Sequence, residues 1–422
     1  MDSLLRCFQT IILLILLLSP TAFGQTQAGP GQYTEEAPLG SWNIFGLETA
    51  SSLGSGLCQM ARVGPASILV SPAVTSLNPG TSFSLNLSFN QTQLFKYWLV
   101  NTGVLKTNGN LPFRCWQLDY LGLSQKISHW TLGFGWALTE NYGRPGLDYN
   151  HFEEGVLYNQ LNLWQNGHQT NYAFSLAREL NRRLSLGVSF IWYRGHLERN
   201  LEESWPVDNI KMIDYRYQKI KGFYPVFGLS YILTDWLFVA LSLIPAHERK
   251  VHGQNNFNYD SPQTDIEIVG QASDIIKRPL ITGLGARVTL RPNLSGYLEA
   301  VYFTWKNYSF SYFGETQTRN FRNVVRLGTG IEYRTKLRFL GRLWTTPYFL
   351  GLTVDPQPMT EVSSTYFFLT FGSGISTDLM ALSFSTAIGL ETGSGQHLKH
   401  QRISITLEFY PDLRKTSGEN KK

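Results

Sequence analysis

The chain contains 422 residues, of which 43% are hydrophobic, 14% aromatic and 16% charged. A soluble globular protein carries roughly 25% charged residues, and the abundance of glycine and aromatic residues here suits many short strands better than a helical bundle. The composition excludes disorder, collagen and coiled coil, and because the lysines and arginines behind the net charge of +5 are scattered, it argues against nucleic acid as a partner.

The first 24 residues read as a secretory signal peptide. Arg6 precedes an apolar run over 11–18, and the small-residue stretch 22–24 supplies a cleavage site. An uncleaved membrane anchor is the alternative, but the apolar run is shorter than the ~20 residues needed to span a bilayer. We expect the exported chain to be soluble outside the inner membrane or to cross a membrane as a closed barrel.

Residues 25–79 are rich in glycine, serine, alanine and proline and show no lasting helix or strand period. We interpret them as a compact, irregular N-terminal element. Alternation begins in the stretch 82–90, where every second residue is Phe or Leu and the others are Ser or Asn. Such alternation is typical of a strand between an apolar and a polar environment.

The alternation returns in fourteen predicted strands. They lie near residues 82–90, 112–123, 129–139, 169–179, 184–197, 218–232, 236–248, 277–290, 294–307, 323–335, 343–354, 364–376, 380–391 and 401–410. Short turns alternate with longer polar stretches, notably 140–168, 198–217 and 249–276, as in outer-membrane barrels with periplasmic turns and extracellular loops. The sequence therefore predicts an all-β fold, a transmembrane antiparallel β-barrel over 80–410, with a polar tail at 411–422.

A soluble β-sandwich is the alternative, since its strands also alternate. Against it, the predicted strands are long, and aromatic residues lie near their ends as in the interfacial girdles of membrane barrels. In the last strand Arg402 and Glu408 fall opposite the apolar face, so their charges point into a lumen. Elsewhere the lumen face is apolar, with Val301, Phe303 and Trp305 in one row, which suits a conduit for a hydrophobic solute.

The order and spacing of several motifs resemble the FadL-type outer-membrane transporters for long-chain fatty acids and aromatic hydrocarbons. The resemblance covers roughly residues 50–410. The stretch 51–77 is similar to the N-terminal hatch of that family, with Ser71, Pro72 and Ala73 in place of its Asn-Pro-Ala motif. The resemblance implies that residues 25–79 form a hatch that plugs a fourteen-stranded barrel.

Three further stretches carry the resemblance. Asn141, Tyr142 and Gly143 are similar to the kink that opens a lateral hole in the family's barrel wall, and a glycine within a strand often marks a bulge. A plain loop start is the alternative. The stretch 175–199 ends in Leu-Glu-Arg, which implies that Arg199 contacts a ligand carboxylate, and the stretch 277–308 contains the closing tryptophan, Trp305.

An apolar acid inside a barrel needs a permanently charged partner, and arginine binds a carboxylate through two parallel hydrogen bonds. The ligand-binding candidates are Arg199 first, Arg194, Lys221 and Lys277 as weaker lumen or rim cations, and Trp305 and Phe303 for apolar contacts. The alternative for each cation is a solvated loop or a structural network. An interior arginine paired with Glu299 or Glu332 would belong to such a network.

The sequence contains no recognisable catalytic constellation. Its eight histidines lack a metal-binding spacing, and the Gly-Ser-Gly triplets around Ser55 and Ser373 do not match a nucleophile elbow. We therefore expect no enzymatic activity, no metal and no cofactor. Cys58 and Cys115 could form a disulfide between hatch and wall in an oxidising envelope, although two unrelated buried thiols are the favoured alternative.

Together, the pattern and the resemblance predict a monomeric barrel of the bacterial outer membrane that takes up hydrophobic molecules passively through a plugged lumen. Its expected partners are the hydrophobic ligand, outer-membrane lipid and lipopolysaccharide, and the barrel-assembly machinery. The runner-up is a barrel that transports no solute and serves as a structural or secretion-system interaction partner. A continuous apolar path would favour transport, whereas a lumen filled by side chains would favour the runner-up.

Overall fold

A computed structural model describes residues 48–93, 105–107, 113–142, 144–312, 315–318, 321–339, 342–358, 360, 365–393 and 399–411. The predicted signal peptide, Gly143 and residues 412–422 of the predicted tail lie outside these ranges.

Strands dominate the described part of the chain and form one antiparallel sheet. They are β1 Thr81–Gln93, β2 Leu105–Thr107, β3 Phe113–Ile127, β4 Trp130–Asn141, β5 Arg144–Glu153, β6 Val156–Glu179, β7 Leu184–Trp205, β8 Ile210–Thr234, β9 Leu237–Ile244, β10 His247–Ser261, β11 Thr264–Arg278, β12 Ile281–Arg291, β13 Leu294–Phe303, β14 Ser309–Tyr312, β15 Glu315–Thr318, β16 Val324–Phe339, β17 Arg342–Pro356, β18 Thr365–Ser376, β19 Met380–Thr392 and β20 Lys399–Phe409.

Fourteen of these strands close into a ring, the barrel wall. In order around the ring they are β1, β3, β4, β6, β7, β8, β9, β12, β13, β16, β17, β18, β19 and β20. The ring closes where β20 pairs with β1, in register from Phe83 opposite Phe409 to Gln93 opposite Lys399. The predicted fourteen-stranded barrel is confirmed, and the sandwich alternative is wrong because the closed wall leaves no open edge.

The predicted long polar loops are largely strands. The stretch 140–168 contains β5 and part of β6, and 249–276 lies within the β10–β11 hairpin. Likewise, β7 and β8 stay paired out to Trp205 opposite Ile210. Alternation did not reveal these extensions because a hairpin that projects beyond an apolar environment has polar residues on both faces. We call this end of the barrel the upper end and the short-turn end the lower end.

Side chains on the wall alternate strictly between the two faces. On β1, Ser82 and Ser84 are fully buried and point inward, whereas Leu87 is exposed on the outside. Each of the fourteen wall strands exposes a large apolar side chain in this way: Leu87, Leu123, Phe134, Phe174, Phe190, Phe227, Leu241, Leu284, Leu298, Leu327, Leu350, Leu369, Phe384 and Phe409. An apolar surface around an entire wall is far larger than the patches that water-soluble monomers expose.

Helices are short. They are α1 Ala50–Gly54, α2 Ser67–Val70 and two 3₁₀ turns, η1 Pro72–Leu77 and η2 Trp305–Asn307. No helix in the described ranges has the length and apolar character needed to cross a membrane. Of these elements, α1, α2 and η1 belong to residues 48–80, which we call the inner segment, and their neighbours are the wall strands.

Candidate functional site

The inner segment is hydrogen-bonded to strands on several sides of the ring. Near its start, the Ala50 amide donates to Thr406 Oγ1 of β20 at 2.6 Å, and the Gly56 amide donates to Thr370 Oγ1 of β18 at 2.9 Å. Near its end, Asn78 Nδ2 donates to Ser124 Oγ of β3 at 2.9 Å. Between these points, Ser189 Oγ of β7 donates to the Ile68 carbonyl at 2.5 Å. The inner segment therefore contacts strands that lie far apart around the ring.

Glycines on the wall let the backbone of the inner segment approach closely. A β-carbon at Gly330 of β16 would lie 2.4 Å from the Ser55 carbonyl oxygen, and one at Gly351 of β17 would lie 2.1 Å from the Gly56 amide nitrogen. Gly56 itself has φ +75°, a conformation that favours glycine. The Gly-Ser-Gly triplet around Ser55 is therefore a backbone contact with the wall.

The predicted hatch motif rests against a second pair of wall glycines. A β-carbon at Gly187 of β7 would lie 2.4 Å from the Ala73 amide nitrogen, and one at Gly228 of β8 would lie 2.8 Å from the same atom. Gly187 and Gly228 face each other in register. Ser71 is fully buried, and its Oγ makes no hydrogen bond to a described residue. The sequence signal for this contact was the pair of glycines within apolar strands, which sequence reasoning missed.

Two carboxylates on the wall hold the middle of the inner segment. Glu332 Oε2 of β16 accepts from Arg62 Nη1 at 3.0 Å, and Glu299 Oε2 of β13 accepts from the Met60 amide at 2.8 Å. Arg326 of β16 adds a bond to Glu299 Oε1 at 3.3 Å and approaches Glu48 at 3.9 Å. Arg62 and Arg326 therefore form the kind of structural network that was expected for an interior arginine paired with Glu299 or Glu332.

Above the inner segment, inward side chains form an apolar group rich in aromatic rings, which we call the upper cluster. Its buried members are Tyr142, Tyr193, Leu197, Ile220, Val251, Ile276, Trp305, Tyr308, Phe321 and Val324. Phe303 packs against it and stacks on Trp305, with ring centres 6.3 Å apart. The structure therefore places both predicted aromatic ligand contacts in one cluster on the inside of the barrel.

Three charged side chains lie beside the upper cluster. Glu140 of β4 accepts hydrogen bonds from Arg249 of β10, at 2.7 and 3.1 Å, and from Arg278 of β11, at 3.2 Å. Arg278 lies over the ring of Trp305, with its Cζ 5.6 Å from the ring centre. Two guanidinium groups share one carboxylate, so the group has a net positive formal charge. Sequence reasoning missed all three residues, whose only signal was a charge on the inward phase of a strand.

Packed apolar side chains continue down to the inner segment. A second group, the lower cluster, contains Ala66, Ile68, Leu69, Tyr120, Ala137, Ala173, Ile191 and Val226. Tyr224 packs against both clusters and therefore joins them. Next to the lower cluster the interior is also polar, as shown by the fully buried Arg402 of β20, whose Nη2 lies 3.0 Å from Asp119 of β3.

The predicted cations divide between the two faces of the wall. Arg199 points inward on β7, is 5% exposed and lies two positions beyond Leu197 of the upper cluster. Arg194, Lys221 and Lys277, predicted as lumen or rim cations, are exposed on the outer face, so the lumen position is wrong. The reason is the alternation of side chains along a strand. Each of these cations directly follows a buried, inward residue, namely Tyr193, Ile220 and Ile276, and therefore points outward.

The wall is incompletely paired at the predicted kink. In the described residues, pairing of β3 with β4 runs from Ile127 opposite Trp130 to Tyr120 opposite Ala137 and goes no further. Beyond that point β3 remains paired with β1, and β4 remains paired with β6 across a bulge near Leu138. A side-chain hydrogen bond of 3.3 Å, from Asn141 Nδ2 to Gln117 Oε1, links the separated strands.

Cys58 is a free, buried thiol. Its Sγ lies 3.5 Å from the Gly56 carbonyl oxygen and next to Gly328 of β16. Cys115 belongs to β3, on a distant part of the ring, so the disulfide considered from the sequence is wrong. No group of three or more His, Cys, Asp or Glu side chains in the described ranges is placed to hold a metal ion.

Solved structures show the same fold. The chain is similar to a FadL homologue from Pseudomonas aeruginosa (TM-score 0.62, 13% identity, 86% of this chain and 99% of the other), the toluene transporter TbuX from Ralstonia pickettii (0.61, 16%, 87% and 98%) and the toluene transporter TodX from P. putida (0.60, 13%, 86% and 97%). No family model and no curated protein match the sequence. At these identities the likeness establishes the fold, and the predicted resemblance to FadL-type transporters is confirmed at that level.

Proposed function

We propose that the protein is a passive outer-membrane transporter for hydrophobic small molecules, either long-chain fatty acids or aromatic hydrocarbons. The observation that carries the proposal is the continuous set of packed apolar side chains that runs from the upper cluster through Tyr224 to the lower cluster and the inner segment. Inward apolar side chains of this kind are the lining that a conduit for a hydrophobic solute needs. TbuX and TodX, which share the fold, are described as toluene transporters.

The outer face supports the membrane location. Apolar side chains exposed on every wall strand can be buried only by lipid or by another apolar surface. With the lower, short-turn end toward the periplasm, the long β7–β8 and β10–β11 hairpins would project outside the cell. We expect a monomer inserted by the barrel-assembly machinery and surrounded by lipid and lipopolysaccharide, without enzymatic activity.

The solute would enter from the upper end and bury its apolar part against the upper cluster. At ~25 cal/mol per Å² of buried apolar surface, an alkyl chain or aromatic ring would gain several kcal/mol. An acid head group would find Arg199 above the cluster and the net positive group of Glu140, Arg249 and Arg278 beside it. A hydrocarbon would use the apolar surface alone.

Release would need a conformational step because the inner segment lies across the lumen. We assign residues 48–80 as the described part of a hatch that moves during transport. The unpaired stretch between β3 and β4, next to Asn141 and Tyr142, would be the lateral opening. The scaffold alternative would predict the buried polar side chains around Arg402. That alternative does not explain the upper and lower apolar clusters.

Binding in detergent solution tests the proposal. Oleate and toluene should each bind saturably to the full-length protein, and Trp305→Ala should weaken both by about tenfold through lost apolar contact. Trp236→Ala removes a tryptophan that is 54% exposed in the turn between β8 and β9, away from the clusters and the gap, and serves as the matched control. Arg199→Ala should weaken oleate alone. If neither ligand binds saturably to the wild type, the transport proposal fails, and an unchanged oleate affinity in Arg199→Ala removes this residue from the site.

A further inference from the structure

The outer face carries a row of cations at the upper edge of the apolar band. Arg194 of β7 stands directly opposite Lys221 of β8, and Lys221 stands directly opposite Lys250 of β10. All three side chains are exposed. Facing residues on neighbouring antiparallel strands have Cβ atoms about 4.5–5.5 Å apart, so three positive charges lie within a short distance of one another.

A second row lies two residues further from the band. Lys219 of β8 faces His196 of β7 on one side and His252 of β10 on the other, and His196 faces His168 of β6. The rings of His168 and His196 are 5.0 Å apart. This row adds one permanent charge and three imidazole rings that can form hydrogen bonds. We call Arg194, Lys219, Lys221 and Lys250 the cationic patch.

None of the four members of the cationic patch forms an ion pair within the described part of the chain. Two carboxylates are nearby on the same face. Glu248 stands opposite Lys277, and Glu198 accepts a hydrogen bond from Tyr215. Like charges placed directly opposite each other destabilise a sheet, so the rows favour an anionic partner.

Aromatic side chains lie immediately below the first row. Trp192 precedes Arg194 on the outer phase of β7 and is 51% exposed, and Phe223 follows Lys221 on the outer phase of β8 and is 44% exposed. Their rings are 5.3 Å apart. The surface therefore changes from apolar to cationic within two residues, about 7 Å along a strand, so one amphipathic lipid could contact both parts.

We propose that the cationic patch binds the phosphate groups of lipopolysaccharide, with its acyl chains against Trp192 and Phe223. The proposal rests on the proposed outer-membrane location, with the upper end outward, because lipopolysaccharide is the phosphorylated lipid of that leaflet. Arginine and lysine form charge-assisted hydrogen bonds with phosphate oxygens, and clustered basic residues at a lipid surface attract anionic head groups. The site is on the outside of the wall and is separate from the lumen path.

The test compares lipid A binding by two triple variants of the full-length protein in detergent. Lys219→Gln, Lys221→Gln and Lys250→Gln together remove most of the cationic patch, and lipid A affinity should fall by at least about tenfold. The matched control is Arg178→Gln, Arg182→Gln and Arg183→Gln, three exposed arginines near the lower end, and it should bind as the wild type does. The amount of lipopolysaccharide that copurifies with the protein should be lower for the first triple variant than for the control variant or the wild type.

Three results would overturn the proposal: equal lipid A binding by the first triple variant, equal binding of lipid A stripped of its phosphates, or binding of inorganic phosphate alone with the affinity of lipid A. If the triple variant fails to fold, Lys221→Gln at the centre of the row replaces it and should still weaken binding. Oleate and toluene binding are measured in parallel. A wild type that binds lipid A but neither oleate nor toluene contradicts the transport proposal alone, and a wild type that binds oleate or toluene but not lipid A contradicts this site alone.

Discussion

Charged residues on this wall have opposite roles on its two faces. Inward arginines such as Arg249 and Arg62 are buried and paired with carboxylates at 2.7 and 3.0 Å. Outward cations such as Arg194 and Lys221 face water or lipid head groups and form no ion pair in the described ranges. The difference follows from burial, since an unpaired charge is costly in the interior and tolerable at the surface.

Glu48 of the inner segment provides a pH-dependent prediction. Burial raises the pKa of Glu48 from its ordinary 4.5 to about 8, against the opposing effect of Arg326. A carboxyl with a raised pKa binds its proton more tightly in the packed state, so the stability of the packed segment falls as the pH rises from about 4.5 to about 8. Hydrogen exchange in residues 48–64, corrected for the intrinsic rate, should be faster at about pH 9 than at about pH 6.

Glu48→Gln is the control for this prediction, because it has no titratable carboxyl and should show nearly the same protection at both pH values. A wild type whose protection does not change with pH would show that Glu48 is already ionised when the segment is packed.

At the scale of elements, glycines decide where the inner segment can lie. Gly330→Ala would place a β-carbon 2.4 Å from the Ser55 carbonyl oxygen, so the segment must shift away from β16. Gly296→Ala on β13 is the matched control, since no atom lies within 4 Å of its β-carbon. Because Cys58 is buried in the segment, maleimide labelling of this thiol, followed by peptide mass spectrometry, should be faster in Gly330→Ala alone. Equal labelling rates in the two variants would mean that the wall adapts instead.

The gap between β3 and β4 provides a second prediction for elements. A disulfide in Gln117→Cys/Asn141→Cys would join the strands where a side-chain hydrogen bond now links them, and uptake of a hydrophobic solute should stop until a reductant is added. Gln125→Cys/Leu132→Cys joins two facing residues in the paired part of the same strands and should leave uptake unchanged. Full uptake through the oxidised first variant would rule out this gap as the exit.

For the whole molecule, closure and the apolar band predict how the protein behaves. It should be recovered in the outer-membrane fraction, require detergent for solubility and migrate differently in gels before and after boiling. Leu350→Arg, in the middle of an outward strand face, should destabilise the barrel by about 2–4 kcal/mol, whereas Leu343→Arg near the end of β17 should cost about 0–1 kcal/mol. Equal yields of assembled barrel from both variants would contradict a lipid-facing band.

The sequence by itself determined the wall. Alternation depends only on neighbours two residues apart along a strand, so stretches such as 82–90 and 401–410 revealed the strand positions, their number and the lipid-like face. It also placed Trp305 and Phe303 on an inward face. It missed the hairpins within 140–168 and 249–276, because strands with polar residues on both faces carry no such period.

Only the tertiary structure decided which inward and outward residues meet. Glu140 joins Arg249 and Arg278 from strands more than 100 positions away, and Lys221 lies between Arg194 and Lys250 because of cross-strand register. Neither contact has a local signature, since register and the order of strands around a ring are set by the packing of the complete barrel. The chemistry of the lumen and of the outer cationic patch was therefore fixed only when the ring closed.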